Sequence, residues 1–123
     1  MGEEILNIKK IKEDIEKFAI ERDWSQFHTP KNLAAALSVE SSELLEIFQW
    51  FSEKDCQQLI EEKNPKVISK IEEEISDILA YTIRLAGVLD INVPEALERK
   101  LKKNAEKYPA DLVRGSARKY TDY

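Results

Sequence analysis

Glu40-Ser41-Ser42-Glu43 and Glu74-Ile75-Ser76-Asp77 place carboxylates where apolar residues belong. Each pair is spaced i, i+3, so on a helix both side chains leave from one face. The stripe through the first pair reads Leu33, Leu37, Glu40, Leu44, Ile47, Phe51. The stripe through the second reads Val67, Ile71, Glu74, Ile78, Tyr81, Leu85, Val88. Both follow the three-to-four spacing of a buried helical seam, which predicts two long helices facing each other across their carboxylates. Glu74 fits the second seam best; Glu73 lies beside it and Glu72 points away. An unpaired ion at a seam position costs roughly several kcal/mol, and four carboxylates together repel one another. A hard divalent cation resolves both problems, because Mg²⁺ takes oxygen ligands and brings opposite charge. Taken singly, such pairs are usually solvated surface charge in a chain that is 35% charged. Two pairs that both interrupt apolar seams point instead to a metal site formed by Glu40, Glu43, Glu74 and Asp77.

Working outward, the punctuation supports an all-α chain. Three glycines and four prolines in 123 residues leave little room for long loops. A first helix is expected from about Glu3 to Asp23, with the stripe Ile8, Ile11, Ile15, Phe18, and a break at Trp24-Ser25-Gln26-Phe27-His28. Thr29-Pro30 is a helix start, as N-cap and first helical residue, for a helix to about Phe51. Ser52-Glu53-Lys54-Asp55 resembles a capping arrangement for a short helix to about Glu62. Asn64-Pro65 opens a helix to about Leu89, and Pro94 one to about Tyr108. Residues 108–123 form an irregular basic tail. No period-2 strand, internal repeat or low-complexity segment interrupts the pattern. The expectation is one domain over 1–123, a four-helix-bundle-like all-α fold. Leu45, Phe48, Trp50 and Leu79 lie off the seams, which suggests a second apolar face and self-association.

Net charge is −5 but uneven. From Arg99 onward eight Lys or Arg outnumber three acids, leaving residues 1–98 strongly acidic. An acidic body argues against a nucleic acid polymer as partner, whereas a basic segment near an acidic metal centre suits a small polyanion. No stretch approaches the roughly 18 apolar residues of a membrane span. The acidic start Met1-Gly2-Glu3-Glu4 lacks the features of a secretory signal, and the single cysteine, Cys56, rules out an intrachain disulfide. A cytoplasmic location is therefore expected.

Several chemistries fall away. The one histidine, His28, belongs to no Glu-x-x-His motif, so di-iron and zinc sites are disfavoured against Mg²⁺ or Mn²⁺. His28 itself reads as a local hydrogen-bonder in its loop. There is no G-x-x-x-x-G-K-[ST] loop, and neither Ser41 nor Ser42 has a histidine base beside it. Mg²⁺ usually binds substrate phosphates, which makes phosphoryl chemistry the natural destination. Trp24 and Trp50 could stack on a nucleobase; plain packing is the ordinary fate of tryptophan. Tyr81, one turn after Asp77, could meet sugar or phosphate. Lys100 and Asn104, spaced i, i+4, could reach a polyphosphate. The competing reading is a non-catalytic helical module whose acidic seam holds a structural cation or a partner helix.

The residues also carry a family likeness. Glu40, Glu43, Glu74 and Asp77 reproduce an E-x-x-E, spacer, E-x-x-D signature. With it stand Glu21-Arg22-Asp23-Trp24-Ser25-Gln26-Phe27-His28, Pro30, Asn32-Leu33 and Glu46-Ile47-Phe48-Gln49-Trp50. The block from Glu73 to Tyr81, Tyr108-Pro109, and the tail from Ser116 to Thr121 complete it. The chain resembles the all-α nucleoside triphosphate pyrophosphohydrolases of the MazG-like superfamily, and most of all their dCTP pyrophosphatase branch. The resemblance implies Mg²⁺-dependent hydrolysis of a nucleoside triphosphate, dCTP or a modified dCTP, to monophosphate and pyrophosphate in nucleotide-pool cleaning. It also implies a homodimer or homotetramer. Carried over residue by residue, Glu40, Glu43, Glu74 and Asp77 bind metal, and Trp24 and Trp50 hold the base. Tyr81 and Asn104 touch substrate, and Lys100, Arg118 and Lys119 serve the phosphates. One departure stands out: where animal members of the branch carry a histidine near the base pocket, this chain has Ile15.

Overall fold

The structure is a computed structural model that describes residues 4–117 and residue 121. Its regular elements are helices, with no strand among the described residues. The chain divides into two compact units, Met1–Asp90 and Ile91–Tyr123. The first contains α1 (Ile8–Glu21), a 3₁₀ turn (Ser25–Phe27), α2 (Pro30–Phe48), α3 (Glu53–Glu62) and α4 (Pro65–Val88). The second contains α5 (Val93–Lys107) and the single turn α6 (Ala110–Val113).

Side-chain caps set where the helices begin. Asn7 accepts from the Lys10 amide at 3.0 Å, so α1 starts at Ile8 rather than near Glu3. Thr29 accepts from the Asn32 amide at 3.2 Å, just before Pro30. Ser52 and Asp55 form a reciprocal capping box: the Asp55 amide donates to Ser52 Oγ at 3.1 Å and the Ser52 amide to Asp55 Oδ2 at 2.9 Å. The bond from the Ser52 amide holds the Asp55 carboxyl below its ordinary pKa. Ser52 is extended, at φ −81° and ψ 168°, and α2 stops at Phe48, short of the expected Phe51. Asn64 and Asn92 cap α4 and α5 in the same way. The expected irregular tail contains one helical turn, α6, which Pro109 introduces.

Within the first unit α2 packs along α4, and α1 packs on α4 as well. The most deeply buried apolar side chains are Ala19 of α1, Leu33 of α2, and Ile83 and Ala86 of α4. The seam residues of α2 and α4 turn inward as their spacing predicts: Leu37, Glu40, Leu44 and Ile47, with Ile71, Glu74, Ile78, Tyr81 and Leu85, are all half-buried. Glu72 and Glu73 are exposed, so Glu74 is the seam residue. Gly87 lets α1 come close, since a Cβ there would lie 3.1 Å from Lys12 Cγ. Off the seam, Val39, Leu45, Ile75 and Leu79 remain exposed. Among the described residues no helix is long and apolar enough to cross a membrane.

Candidate metal centre and the cavity beside it

The two carboxylate pairs meet. Glu40 of α2 and Glu74 and Asp77 of α4 each offer an oxygen within 4.8 Å of the others. Oε2 of Glu40 and Oε2 of Glu74 are out of solvent and have no hydrogen-bond partner. Such groups are rare and costly in folded proteins. Burial raises the Glu40 carboxyl to about 7, helped by a hydrogen bond and repulsion from Glu43, by Glu74 and by the Asp77 charge. Burial also raises Glu74, with Glu43 and Asp77 adding to the effect; its hydrogen bond with Glu40 works the other way. Both carboxyls of the pair are therefore held above their ordinary range by burial and by their acidic neighbours. Glu43 is exposed and acts on both buried carboxylates, so it borders the cluster without being sunk in it.

The donor set is all oxygen, two of the oxygens are orphaned, and the local charge is negative. Those are the requirements of a hard divalent cation, and the residues fit one. Without positive charge the same cluster can relax only by taking up protons, which is what the upward shifts express.

Beside the cluster opens a cavity of about 430 Å³ lined by Ile11, Asp14, Ile15, Phe18, Trp24, His28, Asp77, Ala80, Tyr81 and Arg84. Asp77 belongs to both the cluster and the cavity. Trp24 reaches this site because Arg22 ends α1 and Asp23 takes a left-handed conformation, φ 54°. The chain turns back, and the Trp24 amide donates to the Ala19 carbonyl at 2.9 Å. The indole and the Phe18 ring then make a T-shaped contact, with centroids 5.7 Å apart and planes at 69°. Trp24 remains 45% exposed and lines the cavity.

Of the residues singled out in the sequence, Trp24 and Tyr81 share this cavity with Asp77. Trp50 does not line it and is 86% exposed beyond the end of α2. Lys100 and Asn104 lie one turn apart on α5 in the second unit, Lys100 exposed and Asn104 half-buried. Arg118 and Lys119 lie outside the described residues. His28 departs from expectation: its partner is not in its own loop but 56 residues away, where Arg84 Nε donates to His28 Nδ1 at 3.0 Å. Burial and the Arg84 charge lower the His28 pKa, so the ring is a neutral acceptor at Nδ1.

Sequence reasoning passed over Arg84. It is 8% exposed, and it is the only charged residue in Ile78–Val88 of α4. The signal that singled out Glu40 and Glu74, a charge inside an apolar run, was present here too. Asp14 and Phe18 were also missed, because nothing in α1 alone says that Trp24 folds back over it.

The MazG-like family profile matches residues 35–123. Among curated proteins the chain is similar to dCTP pyrophosphatase 1 of Rattus norvegicus, 45% identical over 106 residues, and of Homo sapiens, 42% identical over the same length. Each alignment takes in 86% of this chain but 61% of the relative, so the chain spans about three fifths of those proteins. Among solved structures it is similar to a pyrophosphatase from Archaeoglobus fulgidus, with a TM-score of 0.75 and 38% identity, covering 89% of this chain and 98% of that one. The profile takes in most of the chain, including both carboxylate pairs, and this chain belongs to the MazG-like family.

Proposed function

We propose that the protein hydrolyses a deoxynucleoside triphosphate, dCTP or a modified dCTP, to the monophosphate and pyrophosphate, as a step in nucleotide-pool sanitation. The observation that carries this reading is the pair of orphaned Oε2 atoms on Glu40 and Glu74, next to an aromatic cavity that Asp77 also lines. The names of the curated relatives support the substrate class. Glu40, Glu43, Glu74 and Asp77 hold Mg²⁺, or Mn²⁺ in its place. When bound, the cation supplies positive charge to the triphosphate and Lewis acidity at phosphorus. The carboxylates orient the attacking water and take up its proton, while the cavity fixes the nucleoside so that attack falls on the α-phosphorus. Trp24 stacks on the base and Tyr81 meets the sugar or phosphate. Lys100, Asn104, Arg118 and Lys119 serve the polyphosphate.

The active form is a homodimer or homotetramer. The exposed Leu45, Leu79 and Trp50 support this, since a second copy would cover them and bring Trp50 to a base.

Phosphorus NMR of the reaction tests the chemistry. With Mg²⁺ and dCTP the expected products are dCMP and pyrophosphate. Formation of dCDP and orthophosphate, or no turnover of any deoxynucleoside triphosphate, would reject the assignment.

A further inference from the structure

Arg84 has an unusual amount of hydrogen-bonding capacity left over. A guanidinium carries five N–H donors and stays charged at any ordinary pH. Arg84 spends one of them, at Nε, on His28. Among the described residues no carboxylate lies within ion-pair distance of it, and its two Nη nitrogens have no hydrogen-bond partner. The residue is nevertheless buried and lines the cavity. Those nitrogens are not among the side-chain atoms sealed from solvent, so they stand open to acceptors that a ligand brings into the cavity.

Its position in α4 says which part of a ligand that is. Arg84 lies seven residues beyond Asp77, close to two helical turns, so the two sit on one face about 10 Å apart along the axis. Tyr81 lies between them. The Asp77 end holds the metal cluster and therefore the phosphates. Arg84 is tied to His28, four residues after Trp24 in the same loop, so its end lies towards the Trp24 segment and receives the base. The contact with His28 fixes the guanidinium plane, leaving the two Nη groups as a fork rather than a mobile point charge.

We propose that Arg84, positioned by His28, is a specificity-determining residue that reads two adjacent acceptors on the nucleobase edge. Cytosine offers such a pair in O2 and N3. Uracil and thymine place an N–H between their carbonyls, so one arm of the fork would meet a donor. A site built to hydrogen-bond a ligand rejects the analogue that leaves its buried groups unpaired. The inference rests on the pyrophosphohydrolase reading for the identity of the ligand, and on the Arg84–His28 geometry for the contact.

The test compares dCTP with dUTP, which share sugar and triphosphate, in the wild-type protein and in Arg84→Lys and Arg84→Ala. Arg84→Lys keeps the charge but loses the fork, and thermal unfolding confirms that it is folded. The ratio of kcat/KM for dCTP over dUTP should fall about tenfold or more in both variants, through KM for dCTP and with little change in kcat. An unchanged ratio overturns the proposal. So does an equal loss with both substrates, which would make Arg84 a contact to the triphosphate or a support of the fold. If the wild-type protein releases pyrophosphate from neither substrate, the functional reading fails, and binding of dCMP and dUMP followed by tryptophan fluorescence decides on Arg84 alone. A preference for dCMP that Arg84→Lys abolishes upholds it; no preference in the wild-type protein overturns it.

Discussion

Trp24 shows how a single side chain acquires a role from the residues around it. Its amide is tied to the end of α1, its ring meets Phe18 in a T-shaped contact, and the residue lines the cavity. Stacking of a base on such a ring is worth about 1–3 kcal/mol. Trp24→Ala should therefore raise KM about 5- to 150-fold while leaving kcat near normal. Steady-state kinetics with dCTP checks this, and an unchanged KM would return Trp24 to plain packing. The residue scale is also where the sequence was least uniform in what it disclosed. Glu40 and Glu74 announced themselves because each breaks an apolar stripe. His28 did not, since a histidine in a loop carries no sign of a partner 56 residues away on another helix.

The helices were legible wherever a cap was written locally. Thr29-Pro30, Ser52 to Asp55 and Asn64-Pro65 each mark an observed start, because capping is a matter of a few neighbouring residues. The start of α1 was not, since Glu3 and Glu4 suit a helix as well as any residue and only the Asn7 bond to the Lys10 amide decides against them. The capping box of α3 allows a prediction confined to that element. Ser52→Ala removes the acceptor of the Asp55 amide and should cost about 1 kcal/mol in urea unfolding. Because α3 contributes no residue to the cluster or the cavity, dCTP turnover should be unaffected; a loss of turnover would mean that α3 positions the site. The Asp55 carboxyl is held below its ordinary pKa, so its contribution is present above that value and fades as the pH falls through the depressed one.

For the whole molecule, the assembly and the metal seam carry the account. Leu45, Leu79 and Trp50 stay exposed on one chain, and they are the apolar residues that the proposed self-association would cover. Light scattering at micromolar concentration should find a dimer or larger. Trp50→Glu should shift it towards monomer and lower activity, and an active monomer would contradict the assembly. The central claim is that Glu40 and Glu74 are buried to hold a cation, and a linkage experiment reaches it most directly. The Glu40 carboxyl moves from an ordinary 4.5 to about 7 on folding. The fold therefore binds that proton more tightly than the unfolded chain does. Its stabilisation is complete below pH 4.5 and is lost as the pH rises through about 7. His28, lowered by burial and Arg84, acts in the opposite sense near its ordinary 6.5, so the comparison must be with Glu40→Gln, which leaves His28 in place. The decisive measurement is thermal unfolding of the metal-free wild-type and Glu40→Gln proteins across this range, with and without Mg²⁺. The account predicts equal stability at the acid end and a Glu40→Gln protein more stable by roughly 5 °C at the alkaline end. Mg²⁺ should raise the wild-type protein there and leave Glu40→Gln nearly unmoved. Parallel curves for the two proteins, with no effect of Mg²⁺ on either, would contradict it.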